Sequence, residues 1–190
     1  MGEIVATTAH LQKSFGAKKV LQDINLDLVK GENLVILGKS GSGKSVLIKC
    51  LVGLILPDSG TIGLFGSDIS TLKYDQLNLL RKRVGFLFQG AALYDSMTVR
   101  ENLEFPLCDL KHQLTQERET LVREALKNVG LEDAIDKMPS ELSGGMVKRV
   151  GLARTLMLKP DIILYDEPTT GLDPITAKEI SNLILNVQKK

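Results

Sequence analysis

The hydrophobic positions along this chain change period several times, and each change marks an element. Apolar residues are loosely spaced from Ile4 to Leu11, which predicts a strand, and Lys13-Ser14-Phe15-Gly16 reads as a turn. Ile24, Leu26 and Leu28 then alternate with Asn25 and Asp27, the pattern of a half-buried strand. Leu34-Val35-Ile36-Leu37 is a continuous apolar run and predicts a strand buried on both faces. Directly afterwards Val46, Leu47, Cys50, Leu51 and Leu54 recur at helical spacing.

Pro57-Asp58-Ser59-Gly60 is turn chemistry, followed by a short strand over residues 61–65 and a helix over 74–82. Arg81-Lys82-Arg83 reads as a solvated helix end. Residues 84–88 read as a strand that runs into Gln89. Thr98 and Glu101 fit a capping box, opening a helix that Pro106 stops. A helix over 115–128 carries Leu121, Val122, Ala125, Leu126 and Val129 on one stripe, with Gly130 at its C-cap. No strand pattern occurs from Ala91 to Gly145, so this stretch is expected to be helical. Ser143 is a good N-cap for a helix reaching about Leu158, and Gly144-Gly145 leave its first N–H groups open. By itself that is either an ordinary capped helix start or an anion site. The apolar strand 162–165 then ends in Asp166-Glu167, the turn 171–174 follows, and a closing helix begins at Ile175.

Between the run 34–37 and the helix after it lies Gly38-Lys39-Ser40-Gly41-Ser42-Gly43-Lys44-Ser45. It fits G-x-x-x-x-G-K-[ST], the phosphate-binding loop, in the strand–loop–helix context that chemistry requires. Backbone N–H groups and the positive end of the helix dipole suit β- and γ-phosphates. Lys44 adds a mobile charge, and the Ser45 hydroxyl suits Mg2+. A buried strand ending in two carboxylates calls for a nearby cation, because an uncompensated buried charge is costly. Asp166 can hold the Mg2+ that Ser45 ligates, and Glu167 can orient or deprotonate an attacking water. Phe15, in a polar turn, is either a local core plug or a platform for adenine.

The 190 residues hold one domain with a sizeable core. A formal net charge of +1 gives no electrostatic case for nucleic acid. No uncharged apolar run approaches the roughly 20 residues of a membrane span, and the N-terminus lacks a signal-peptide layout. Cys50 and Cys108 make no disulfide framework, which suits a reducing cytosolic setting.

Taken together and in this order, these motifs resemble the ATP-binding subunits of ABC transporters along nearly the whole chain. Gly38–Ser45 resembles Walker A and Ile162–Glu167 resembles Walker B with its catalytic glutamate. Gln89 matches the Q-loop, Leu142–Met146 the signature, Thr170–Asp173 the D-loop and Phe15 the adenine-stacking aromatic. The resemblance implies an α/β fold: a P-loop NTPase, RecA-like core with an N-terminal antiparallel β subdomain and an inserted helical subdomain. The expected boundaries are 1–90, 91–145 and 146–190, with the family's last strands missing and the chain a truncated form of a longer subunit.

It further implies ATP and Mg2+ as cofactors. The implied nucleotide contacts are Phe15, Gly38, Lys39, Ser40, Gly41, Ser42, Gly43, Lys44, Ser45, Val46, Ser143, Gly144, Gly145 and Asp173, with ATP between two head-to-tail copies so that Lys44 of one and Ser143 and Gly145 of the other hold the same γ-phosphate. Ser45, Gln89 and Asp166 would serve the metal, and Glu167 with Gln89 the chemistry. A finer resemblance, to Mla-type (Mce-associated) phospholipid transporter ATPases, rests on residues 43–47, 88–99 and 142–150; Met146 departs from the general family's glutamine but agrees with this branch. Membrane permeases docking near Gln89–Val99, and a location on the cytoplasmic face of a membrane, follow from the likeness. The family's histidine after the D-loop has no counterpart, since His10 and His112 both precede Walker B; poor hydrolysis by this chain is therefore expected. Three alternatives remain: a non-hydrolysing nucleotide module, an ABC importer ATPase for another substrate, and an ABC-type ATPase of DNA repair or translation. The last is disfavoured by the lack of coiled coils or tandem domains, and a GTPase by the lack of Asn-Lys-x-Asp.

Overall fold

The computed structural model describes residues 2–108 and 115–188, which form two compact units, 1–84 and 85–190. His112 lies outside the described residues.

In the first unit β1 (Ile4–Phe15) and β2 (Lys18–Val29) form a long antiparallel hairpin, extended by β3 (Ser59–Leu64) and β4 (Ser67–Asp68) in the order β2-β1-β3-β4. This is the antiparallel N-terminal sheet the sequence predicts. The turn is tighter than expected: Lys13 to Phe15 stay in the strand, and the reversal is made at Gly16, with φ 58°, and Ala17. Residues 24, 26 and 28 are half-buried on β2, as their alternation requires.

Helix α1 (Lys44–Leu51) packs against β2 and β3 through Leu47, Ile48, Cys50 and Leu51. Leu54, placed on the same stripe from the sequence, lies past the helix end and is exposed. Helix α2 (Tyr74–Arg81) returns to α1: Arg81 Nε and Nη2 each donate over 2.9 Å, to the Val52 and Gly53 carbonyls at the C-terminus of α1. Arg81 is thus a structural tie and not a solvated helix end, while Arg83 stacks 3.7 Å from the Phe65 ring.

The run Leu34–Leu37 departs from its predicted role. Residues 32–39 have no strand assignment, and Leu34, Val35 and Leu37 are 49%, 73% and 88% exposed. A strand inside a parallel sheet is held by ladders on its flanks, and among the described residues neither sheet includes this segment. An apolar run has no period that names its neighbours, so sequence could not show this.

In the second unit β5 (Val84–Leu87) pairs with β6 (Ile162–Tyr165). Between them come α3 (Val99–Glu104), α4 (Thr115–Val129) and α5 (Gly144–Leu156), and α6 (Pro174–Gln188) follows. The capping box forms: Thr98 Oγ1 accepts the Glu101 amide at 3.2 Å, and the Thr98 amide donates to Glu101 Oε2 over 2.7 Å. Helix α3 passes at Phe105–Leu107 into a 3-10 turn containing Pro106. Val122, Leu126 and Val129 of α4 pack with Val99, Leu103 and Leu107 against Val150 and Ala153 of α5. Fully buried Leu103, Leu126 and Val150 each contribute about 1.5–3 kcal/mol by leaving water. Gly130 ends α4 at φ 66°, the left-handed C-cap expected from sequence. Among the described residues no strand lies between 91 and 145.

Candidate functional site

In the first unit the glycine-rich loop leads into α1 through Gly43, at φ 104°. A Cβ there would lie 2.9 Å from Val20 Cγ1 and 3.1 Å from the Val20 carbonyl oxygen, so only glycine fits both the conformation and the space. No side chain caps the N-terminus of α1, and its first turn carries no acidic residue. The Lys44 ammonium folds back over the loop, donating to the Gly38 and Lys39 carbonyls over 3.1 and 3.2 Å. Backbone donors, a positive helix end and a lysine thus meet within a few residues, an arrangement that fits a polyphosphate.

Phe15 lies on the same unit, at the end of β1, and its ring is 51% exposed, which excludes the core-plug reading. Lys13 Nζ lies 5.5 Å from its centroid. That ammonium is held by Asp58 Oδ1 at 2.8 Å, while Asp58 Oδ2 accepts the Ser14 amide at 2.6 Å. The Lys13 ammonium and the Ser14 amide hold the exposed Asp58 carboxyl below its usual range.

In the second unit the ends of β5 and β6 bring three predicted residues together. Asp166 is buried, its amide donating over 3.0 Å to the Leu87 carbonyl. Glu167 takes φ 48°, a left-handed conformation costing a residue with a Cβ about 1–3 kcal/mol. Its Oε2 accepts the Thr170 hydroxyl at 3.1 Å and lies 3.5 Å from Gln89 Nε2. A carboxylate held on a strained turn, beside an amide and a hydroxyl, is oriented and not merely solvated.

Ser143 Oγ accepts the Met146 amide at 3.3 Å and so caps α5. The local fold therefore realises the ordinary capped start. Gly144 and Gly145 differ from each other. A Cβ on Gly145 would meet Thr176 Cγ2 of α6 at 2.5 Å, whereas one on Gly144 would have its nearest neighbour, Leu172, at 3.7 Å. Asp173, expected at the nucleotide, caps α6: its Oδ1 accepts the Ile175 and Thr176 amides, both at 3.0 Å. The Thr176 side chain above all, and then those amides, hold its carboxyl below the usual range.

The segment after Gln89, where the family likeness places a permease, is only partly exposed. Ala91 is buried, and Leu93 packs into the core. The surface aromatics are Tyr94 and Phe105, each 43% exposed with centroids 4.7 Å apart. Three side chains that sequence reading passed over hold this segment. The fully buried Asn102 accepts the Tyr94 amide at 2.8 Å and donates over 3.1, 3.0 and 3.0 Å to the Tyr94, Met97 and Thr98 carbonyls. Arg154 Nη2 donates to the Ala91 carbonyl over 2.9 Å, and the buried Lys148 ammonium donates to the Gln89 carbonyl. The available signal was two of the three cations of α5, Lys148 and Arg154, standing among the apolar Val150, Leu152 and Ala153.

A family model described as "ABC transporter" matches residues 21–170. The chain belongs to the ABC transporter family. It is 45% identical over 177 residues to "Probable ribonucleotide transport ATP-binding protein mkl" of Mycobacterium leprae, covering 93% of this chain and 51% of that protein. It is 38% identical over 192 residues to "Protein TRIGALACTOSYLDIACYLGLYCEROL 3, chloroplastic" of Arabidopsis thaliana, covering 97% of this chain and 55% of that protein. To "Methionine import ATP-binding protein MetN" of Clostridium tetani it is 42% identical over 178 residues, 94% of this chain and 56% of that protein. A dimeric ATP-binding cassette in a post-hydrolysis state with ADP and Pi is similar in fold, with a TM-score of 0.87 and 33% identity over 97% of this chain and 83% of that one. The α/β cassette fold is thereby shown, and the chain spans about half the length of the curated relatives it matches. Among the described residues no helix is long and apolar enough to cross a membrane.

Proposed function

We propose that this chain carries the ATP-binding part and several of the hydrolytic residues of an ABC transporter's ATPase motor subunit, and its phosphate loop is the part most directly open to test. The observation that carries this is the N-terminus of α1, which Gly43 opens and no side chain caps, with Lys44 folded over it. Its residues fit Mg-ATP by chemistry. Residues 38–46 supply backbone donors and one ammonium, the Ser45 hydroxyl suits hard Mg2+, and in the second unit Gln89 and Asp166 carry oxygen groups of the kind Mg2+ takes. Mg2+, when bound, would offset the charge of the phosphates.

The chain's own groups do the rest. Phe15 offers its exposed ring to adenine, and Lys44 neutralises terminal phosphate oxygens. Glu167, restrained by Thr170 and next to Gln89, orients the attacking water and accepts its proton. Ser143, Gly144, Gly145 and Asp173 face the nucleotide of a second, head-to-tail copy; the dimeric cassettes among its structural relatives support pairing. The Ser143 Oγ that accepts the Met146 amide would still have its own O–H to donate to a phosphate oxygen.

The Tyr94–Phe105 pair marks the face for membrane permeases, on the cytoplasmic side of a membrane. Phospholipid is the cargo this reading favours, from the Mla-type stretches 43–47, 88–99 and 142–150 and from a relative named for a diacylglycerol glycolipid. A different importer cargo is the second reading, favoured by the relative named for methionine import. Calorimetry decides the nucleotide claim: Lys44→Ala lowers ATP affinity at least tenfold if the loop binds phosphate, and unchanged affinity overturns it. Copurified permeases carrying phospholipid support the first cargo, and complexes free of lipid overturn it.

A further inference from the structure

Helix α5 begins at the signature residues and lays one of its buried sides on the Gln89 segment. Lys148, Gly151 and Arg154 recur at i, i+3 and i+6, so they share one side of the helix over about 9 Å. Lys148 Nζ donates to the Gln89 carbonyl. A Cβ on Gly151 would lie 2.7 Å from Ala91 Cβ, and Arg154 Nη2 donates to the Ala91 carbonyl over 2.9 Å. Between these contacts Ala91 and Ala92 both hold left-handed φ values, 60° and 51°. Two consecutive residues with side chains keep such a backbone only where their surroundings fix it.

We propose that Lys148 is a positioning residue for Gln89: it fixes the backbone of Gln89 to α5, so that the Gln89 side chain stands ready for the metal and Glu167. The claim rests on the reading of Gln89 as a Mg2+ ligand. Lys148 is 7% exposed, and burial lowers the pKa of its ammonium. A neutral amide could make the same bond with less loss of hydration, so a buried cation here makes the link costly to break. If Gln89 withdraws, the ammonium loses its carbonyl without regaining water. The helix that holds Lys148 begins at the Ser143 cap.

The test measures ATP binding to this chain by calorimetry, in EDTA and across a Mg2+ titration. Lys148→Met keeps the length and removes the donor; Gly151→Ala pushes on Ala91 from the same helix face. Each is expected to leave ATP affinity in EDTA within about twofold and to raise the Mg2+ needed for half-saturation about tenfold, the worth of one charge-assisted bond. Lys148→Gln, which can still donate to the carbonyl, returns the Mg2+ dependence towards the unaltered chain. A purely structural lysine would lower the denaturation midpoint and leave Mg2+ half-saturation unmoved, which overturns the proposal. Should Lys148→Met not fold, Gly151→Ala decides on the same terms. An unaltered chain that binds no ATP sinks the nucleotide reading; one that binds ATP while the variants keep its Mg2+ dependence sinks only this inference.

Discussion

Gln89 and Glu167 face each other across the ends of two paired strands, with the amide nitrogen 3.5 Å from the carboxylate oxygen. Each follows its strand by two residues, Gln89 after β5 and Glu167 after β6. The pairing of the strands therefore sets the separation of the side chains. The strained φ of Glu167 then aims its carboxylate across the gap towards Gln89 and Thr170.

Glu167→Gln should keep ATP binding and lower phosphate release by the subunit about 10²–10⁴-fold, the usual worth of a positioned base. Thr170→Val keeps the carboxylate and removes only its hydroxyl restraint, at an expected cost of about fivefold. Phosphate-release assays beside calorimetry check both. Equal losses in the two variants would mean that Glu167 acts through structure and not as the base.

The two signature glycines should answer differently to alanine. Gly144→Ala adds a methyl group with no close neighbour and should change stability by less than about 0.5 kcal/mol. Gly145→Ala drives a methyl group into Thr176 and should cost about 1–3 kcal/mol. Urea unfolding of both variants tests this, and equal midpoints would show that α6 gives way freely.

Asn102→Ala leaves the Tyr94 amide and the Tyr94, Met97 and Thr98 carbonyls without their buried partner. It should destabilise the second unit by about 2–4 kcal/mol, read as a lower urea midpoint. Phe105→Ser, on the exposed side of the same region, should leave the midpoint nearly unchanged while weakening copurification with a permease.

What the sequence revealed follows from how local each signal is. The capping box at Thr98 and Glu101, the C-cap at Gly130 and the stripe on α4 are set by neighbours within a few residues, and they appear as read. The phosphate loop is likewise a contiguous motif. Leu34–Leu37 failed because an apolar run specifies burial without specifying which strand covers it. The cap that Asp173 makes on α6 was local and legible, since Asp followed by Pro at a helix start is a common cap, but family likeness drew attention to a nucleotide instead. Lys148, Asn102 and Arg154 were missed because their partners are backbone carbonyls 59, 8 and 63 residues away, or fewer for other bonds of Asn102, and carbonyls leave no mark in composition.

Asp58 links pH to Phe15, the proposed platform for adenine. Its carboxylate holds the Lys13 ammonium and the Ser14 amide, the two groups just before Phe15, and the ammonium backs the Phe15 ring. Its folded pKa is depressed below the ordinary value of 3.8, so the contact is fully present above that pH. It is lost only as pH falls through the depressed value. The Ser14 amide signal in a proton–nitrogen NMR titration should therefore move with a midpoint below 3.8 and stay constant from neutral pH down to about 5. Asp58→Asn removes the charge at any pH and frees Lys13. ATP affinity should then fall about threefold, the worth of one exposed cation–π contact, while affinity for inorganic triphosphate, which has no base to stack, stays the same. Equal losses for both ligands would place the effect at the phosphates and remove Asp58 from the support of Phe15.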